Sequence, residues 1–388
     1  MGKDASGTPT NPAYSSFFAD TRLVPRKNEL EAGFYGSRFA SLAMGVVEVM
    51  AANRPFFVVP DVKEGQLFYN VDLIESVHSA DSDEPTLEIR PYPHPVARIP
   101  LGLGCRVFAV SGGSIWGAAG YSRDTVVHDV ATETTAPGPQ LHYPKVTPSL
   151  LPVGDDGTVL VMDRTIRSPW PGDPFCSFEA LRSLPVTGGG GGWRWQAVPL
   201  PEPPFRGGSA HVTAYLMLGG RAWVSVPDRG TFSLDVDRGT WRTEGSWQLP
   251  LRGRAHFAPE LGLVIGLNSG GKLSACDIEA WPKPMLLRQW DTTFPTAECR
   301  AAGHQLLWQD TGLAYLGEGR FCLSRHAVVE RTAEGRATRY AISSMTVQVR
   351  RLPGGGLGGL ELARRGKLRY HAVWPYKEYP FPYLIQPS

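Results

Sequence analysis

The residues best suited to chemistry are two glycine loops, one acidic turn, scattered histidines and a basic cluster near the C-terminus. Gly354-Gly-Gly-Leu-Gly-Gly359 satisfies G-x-G-x-x-G, the turn that brings a dinucleotide pyrophosphate to a helix N-terminus. A helix would have to follow, yet Leu360-Glu-Leu-Ala-Arg-Arg-Gly366 meets another glycine within about two turns. A glycine-rich hairpin loop is the reading that fits. Gly188 to Gly192 lacks the Gly-Lys-Ser/Thr ending of a phosphate-binding loop and reads as a flexible inter-strand connection. Gly154-Asp-Asp-Gly157 has neither the alternating oxygen ligands nor the distal glutamate of a calcium loop, so it reads as a turn.

The nine histidines show no H-E-x-x-H or H-x-H spacing, and a metal site would have to be assembled in space from distant segments. In Gly266-Leu-Asn-Ser269-Gly270 the serine comes one place too late for a nucleophile elbow. Arg350-Arg351 and Arg364-Arg365-Gly-Lys367-Leu-Arg369 stand beside Tyr370, His371 and Trp374. That mixture suits RNA or phosphate, but it equally suits a sheet edge guarded by positive charge, which is the preferred reading. No catalytic, cofactor-binding or metal-binding residue is assigned, no cofactor is expected, and the chain reads as a non-enzyme.

Bulk properties narrow the class. Net charge is +2, too small for a general attraction to nucleic acid or an acidic membrane. Gly and Pro number 44 and 34, roughly a fifth of the chain against a usual eighth or so, which calls for many turns. The five cysteines (Cys105, Cys176, Cys276, Cys299, Cys322) include no C-x-x-C pair. A reducing compartment suits them, so a cytoplasmic or nuclear address is expected. Gly2 and Ser6 match a loose acylation pattern, but an ordinary start is preferred. The most apolar stretch, 40–60, contains Glu48, Asn53 and Arg54 and makes a poor membrane span.

The elements that would position any site are short strands. Ser41-Leu-Ala-Met-Gly-Val-Val-Glu-Val-Met50 suits a short helix or a first strand, and from Phe56 onward β-branched and aromatic runs alternate with Gly, Pro and Asp clusters. A recurring phrase, an apolar strand ending in an acid before a turn, falls at Asp72, Asp129, Glu179, Asp235 and Asp277. Its intervals are 57, 50, 56 and 42 residues, in the range of propeller blades of ~40–50 residues. Most of the Trp and Tyr residues recur once or twice per unit and are read as packing. A sixth unit follows Leu306, built on Leu313-Ala-Tyr-Leu, Arg320-Phe-Cys-Leu-Ser324, Met345-Thr-Val-Gln-Val349 and Leu368-Arg-Tyr-His-Ala-Val-Trp374.

Gly219-Gly220, the strand end Asp235 and Trp241 resemble a degenerate kelch repeat, which implies four-stranded propeller blades. Gly112-Gly113 is the other intact glycine pair ahead of an acidic strand end. Beyond residue 55 the chain also resembles a group of uncharacterised plant proteins, abundant in cereal grasses, with a kelch-related domain of unknown function. Leu249-Pro-Leu-Arg-Gly-Arg-Ala-His-Phe-Ala-Pro-Glu-Leu-Gly-Leu263 and Tyr315-Leu-Gly-Glu-Gly-Arg-Phe-Cys-Leu323 carry that resemblance. Kelch-type propellers include copper-radical oxidases, whose Tyr–Cys and His set does not map onto this chain.

The expectation is therefore an all-β, kelch-like propeller of about six four-stranded blades over 55–388, preceded by a partly disordered extension, 1–54. Its function is expected to be a non-enzymatic binding scaffold with a protein-interaction surface on its loops. The alternative is a small-molecule binder or enzyme using the central channel. A protein partner of unknown identity, a monomeric state, and neither membrane nor nucleic-acid binding complete the reading. Ring closure requires Phe56-Phe-Val-Val59 to lie in or beside the blade that holds the C-terminal strands.

Overall fold

The computed structural model describes residues 56–61, 65–70, 89–90, 95–100, 105–154, 156–166, 176–185, 193–205, 210–280, 283–291, 309–331, 337–354, 359–364, 369–373 and 383–385. Every regular element among them is a strand. The expected extension 1–54, Ser41–Met50 and Asp72 lie outside these residues.

The described strands form six blades, numbered here in chain order. Blade 1 joins Phe56–Asp61, Gly65–Asn70 and Ala97–Ile99 to the C-terminal strand Tyr383–Ile385. Blade 2 is Cys105–Ser111, Ser114–Ala119, Thr125–Asp129 and Thr134–Pro137. Blade 3 is Pro148–Pro152, Val159–Asp163, Phe178–Pro185 and Trp193–Pro199, and blade 4 is Ala214–Leu218, Arg221–Val226, Gly230–Asp235 and Thr240–Gly245. Blade 5 is Arg252–Ala258, Leu263–Leu267, Leu273–Asp277 and Met285–Trp290. Blade 6 has Gln309–Gly317, Arg320–Arg331 and the long Ala337–Arg351, which pairs with both Leu360–Arg364 and Arg369–Val373.

Packing explains why these sheets stack. Leu160, Met162 and Ala180 of blade 3 pack against Ala222, Val224 and Leu234 of blade 4. Their alternates Val159, Val161 and Leu181 pack the other way, against Trp116 and Ala118 of blade 2. A strand buried on both faces reads as an unbroken apolar run, which accounts for Val159-Leu-Val-Met162. The same arrangement joins blades 1 and 2, 4 and 5, and 5 and 6.

The first strands of consecutive blades adjoin, and where blades 3 and 4 meet the ribbon Thr165–Ile166 with Ala210–His211 spans the gap. The ring closes through its C-terminus. Phe56 pairs with Ile385, Phe57 with Leu384 and Val58 with Tyr383, and Tyr383–Ile385 adjoins the first strands of blades 2 and 6. A second tie pairs Arg369–Val373 with Ile89–Arg90 in parallel. The closure expected of residues 56–59 is present.

The turns show which parts of the repeated phrase are physical. Gly112-Gly113 and Gly219-Gly220 have positive φ at both positions, as a two-residue type I′ hairpin requires. Glu318-Gly319 does the same in blade 6, with φ of 54° and 68°. Asp129, Asp235 and Asp277 end third strands, and each carboxylate accepts a turn amide, from Thr132, Arg238 and Glu279 respectively. Glu179 departs from this pattern. It lies at the start of Phe178–Pro185 rather than at a strand end, because its carboxylate is used in a clamp between blades.

Two glycine-loop readings meet the structure. Gly354–Gly359 connects Ala337–Arg351 to Leu360–Arg364 as a hairpin, with Leu352 N–H donating to Gly359 O; the segment after it is a strand, not a helix. Gly188 to Gly192 falls between the paired strands Phe178–Pro185 and Trp193–Pro199 and lies outside the described residues.

The closing strand makes the first stability prediction. Ile385 is buried in the core between blades 1 and 2 with Val58, Phe68 and Phe108. Ile385→Ala should cost roughly 2–4 kcal/mol, read as a fall in the urea midpoint. Truncation after Pro382 should cost more and expose the Phe56–Asp61 edge to association, visible by size-exclusion chromatography. An unchanged midpoint and monomeric elution in both variants would contradict closure through this strand.

Candidate functional site

Strand reversal within each blade sends its second-to-third turn and its outgoing linker to one face, and its two tighter turns to the other. The first of these, the loop face, carries a belt of backbone hydrogen bonds between blades. Tyr121 N–H donates to Lys145 O at 2.8 Å, Arg164 N–H to Thr147 O at 3.0 Å, Val212 N–H to Arg164 O at 2.8 Å and Gly253 N–H to Thr213 O at 2.7 Å.

Two buried carboxylates hold this belt. Glu179 and Lys145 have fully buried side chains and form an ion pair at 2.5 Å. Lys145 Nζ also donates to the carbonyls of Tyr143 and Cys176 at 3.0 and 2.7 Å, so its three donors are all used. The other Glu179 oxygen accepts His142 N–H at 2.8 Å and lies 2.9 Å from His142 Nδ1, and Tyr143 N–H reaches the first oxygen at 3.2 Å. Burial by itself would raise the Glu179 pKa. The Lys145 charge and the His142 and Lys145 donors outweigh it and hold the carboxyl below its usual range. His142 remains 52% exposed, an imidazole aimed by a buried acid with its far edge toward solvent.

Asp163 does the same one strand away. Its carboxylate accepts Val146 N–H at 2.9 Å, Thr147 N–H at 3.0 Å, Thr147 Oγ1–H at 2.9 Å and Thr165 N–H at 3.1 Å. Thr147 Oγ1 lies 2.8 Å from Thr165 Oγ1, which in turn lies 3.4 Å from His211 Nδ1. Linker 139–147 is thereby fixed to the ends of two strands of blade 3.

The residues singled out in the sequence are placed elsewhere. Asp156 of the Gly154–Gly157 turn accepts Thr158 N–H and Oγ1–H, which is turn chemistry. The Ser269 loop is organised by Asn268, whose side-chain oxygen accepts Gly270 and Lys272 amides. Arg351 donates to Leu261 O of blade 5, tying two blades together. Arg350 donates to Gln348 on its own strand. Burial pushes Cys105, Cys276 and Cys322 up to about 12 and Cys176 up to about 11, so none is a thiolate at neutral pH. The belt residues escaped sequence reading because Lys145 and Glu179 are 34 residues apart and belong to no local motif.

Stacked antiparallel sheets, four-stranded except in the last unit and tied together by the terminal strand, define the chain as a β-propeller. The family described as "Protein of unknown function (DUF1668)" matches residues 52–370, and the chain belongs to it. No curated protein matches the sequence. Among solved structures, the extracellular domain of a putative one-component system from B. thetaiotaomicron is 12% identical, covering 61% of this chain and 25% of that one, with a TM-score of 0.30.

The Glu179 clamp yields two measurable outcomes. Lys145→Met leaves an uncompensated buried carboxylate and should cost roughly 3–5 kcal/mol. Lys145→Met with Glu179→Gln should recover part of that loss, since the amide oxygen still accepts the His142 amide without a charge. A carboxyl held low in the folded state adds stability above its unfolded value of 4.5 and loses it as pH falls through the folded value. The stability gap between wild type and Glu179→Gln should therefore narrow on acidification below about pH 4.5. A gap independent of pH would show that Glu179 is not ionised in the fold.

Proposed function

We propose that the chain is a non-enzymatic, kelch-like binding scaffold that docks a protein partner on its loop face. The observation that carries this reading is Tyr121. Its ring is 70% exposed, yet its backbone sits at φ 64°, a conformation costing a non-glycine residue of order 1–3 kcal/mol. The belt holds it there through its amide bond to Lys145 O, beside the linker that carries His142. An exposed tyrosine on a fixed backbone is a good interface anchor, because little conformational entropy is lost when it is covered. The opposite face supports the assignment by contrast: the turns at Gly112-Gly113, Gly219-Gly220 and Glu318-Gly319 are tight two-residue hairpins, and those after Asp129, Asp235 and Asp277 are capped by their own acids.

Tyr121→Gly separates docking from folding. Glycine adopts this φ without strain, so stability should stay level or rise by about 1 kcal/mol. Partner recovery in affinity capture should fall about tenfold or more, and His142→Ala should weaken it further. Arg238→Ala, in a turn on the opposite face, should leave recovery intact. Equal recovery with Tyr121→Gly and wild type would remove the loop face as the docking surface.

A further inference from the structure

An arginine keeps its proton and favours a counter-charge, yet among the described residues only the Tyr215 phenol acts as one on the half-buried Arg254. It lies on the first strand of blade 5, in parallel register with Tyr215 on the first strand of blade 4. Its Nε is shut off from solvent and has no hydrogen-bond partner among the described residues. Burial lowers its pKa, with only the Tyr215 phenol opposing. His256, two residues along, is pushed down to about 3, first by burial and then by Arg254 itself. It is neutral and offers Arg254 no compensation.

Arg164 repeats the situation on the belt. Its backbone is fixed by Thr147 and Val212, and its Nε is also buried without a partner among the described residues. His211 is exposed beside it, its pKa lowered by burial and then by Arg164 and Arg252, with Asp163 opposing. Asp163, the acid next to this group, is already occupied by Val146, Thr147 and Thr165. The belt bonds Arg164 O to Val212 and Thr213 O to Gly253, which places these cations on one continuous rim of blades 3, 4 and 5.

We infer that Arg164, His211, Arg252 and Arg254 form an oxyanion site at this rim, taking a phosphate or carboxylate group. Guanidinium forks match the paired oxygens of such groups, and the bonds they form are charge-assisted and strong. The three guanidiniums outnumber the Asp163 carboxylate beside them, so the rim gains most from a ligand that brings two charges, and phosphate is the first choice. The site uses residues distinct from Tyr121 and His142, and its failure would leave the docking surface untouched.

Calorimetric titration of the full chain with inorganic phosphate, against chloride at matched ionic strength, tests the assignment. Saturable binding of phosphate and not chloride is expected, with affinity falling about tenfold or more in Arg254→Met, the scale of one lost charge-assisted hydrogen bond. Should Arg254→Met fail to fold, Arg252→Gln and His211→Asn decide, since both side chains are exposed; each should weaken binding severalfold. Tighter binding of a phosphoserine peptide would assign the oxyanion to a protein partner, and binding of free phosphate at least as tight would assign it to a small ligand. Either supports the site. Heats equal for phosphate and chloride, or variants that bind like wild type, would overturn it.

Discussion

Each blade has two apolar faces and must bury both, and the rest of the architecture follows from that constraint. A sheet covered on one side only would leave residues such as Val159 and Val161, or Leu160 and Met162, against water. At about 1.5–3 kcal/mol per large aliphatic side chain, the loss across one blade would exceed the net stability of an ordinary domain. Every blade therefore needs two neighbours, and only a closed ring gives the first and last blades theirs. The strand Tyr383–Ile385 supplies the closing connection by completing blade 1, so two segments far apart in the chain become one sheet.

Blades that radiate from an axis diverge outward, and the gap has to be filled with bulk. Trp195, Trp241 and Trp290 all lie on fourth strands, the outer edges of blades 3, 4 and 5. Trp195 meets Trp116 of blade 2 edge-on at 4.5 Å, and Trp241 meets Phe178 of blade 3 at 5.0 Å. Within a blade, bulk on one strand restricts its partner. A Cβ on Gly117 would sit 2.5 Å from the ring of Phe108, its paired residue on the first strand of blade 2, so the Phe108 ring occupies the space that a larger residue between Trp116 and Ala118 would need.

The same logic explains what could be read from sequence. Third-strand aspartates recur because each caps its own turn, a local device that leaves a local trace at Asp129, Asp235 and Asp277. The all-β, propeller-like architecture was legible from such traces, while closure was expected because a propeller must join its ends. Glu318-Gly319 makes the same turn as the Gly-Gly pairs but was hidden by its glutamate, whose φ of 54° is uncommon outside glycine. Glu179 looked like another strand-end acid because composition cannot distinguish capping a turn from clamping a linker. The rim arginines were illegible for a further reason. They are brought together by belt bonds between segments far apart in the chain, and such a juxtaposition leaves no mark in a sequence.

The buried Glu179–Lys145 pair connects stability to the shape of the loop face. Replacing such a pair with matched apolar side chains is often neutral or stabilising, so stability alone is a weak reason to keep one. Here the pair does something apolar groups cannot. It accepts the amides of His142 and Tyr143 and donates to two carbonyls, fixing a linker backbone whose polar groups would otherwise face a dry interior. Asp163 repeats the arrangement with Val146 and Thr147. The charges thus convert a linker that would be free to fluctuate into a rigid rim, and rigidity lowers the entropy lost when a surface is covered. The ionic groups under the loop face set the geometry of the proposed docking surface, while the apolar faces between blades set whether the ring exists at all.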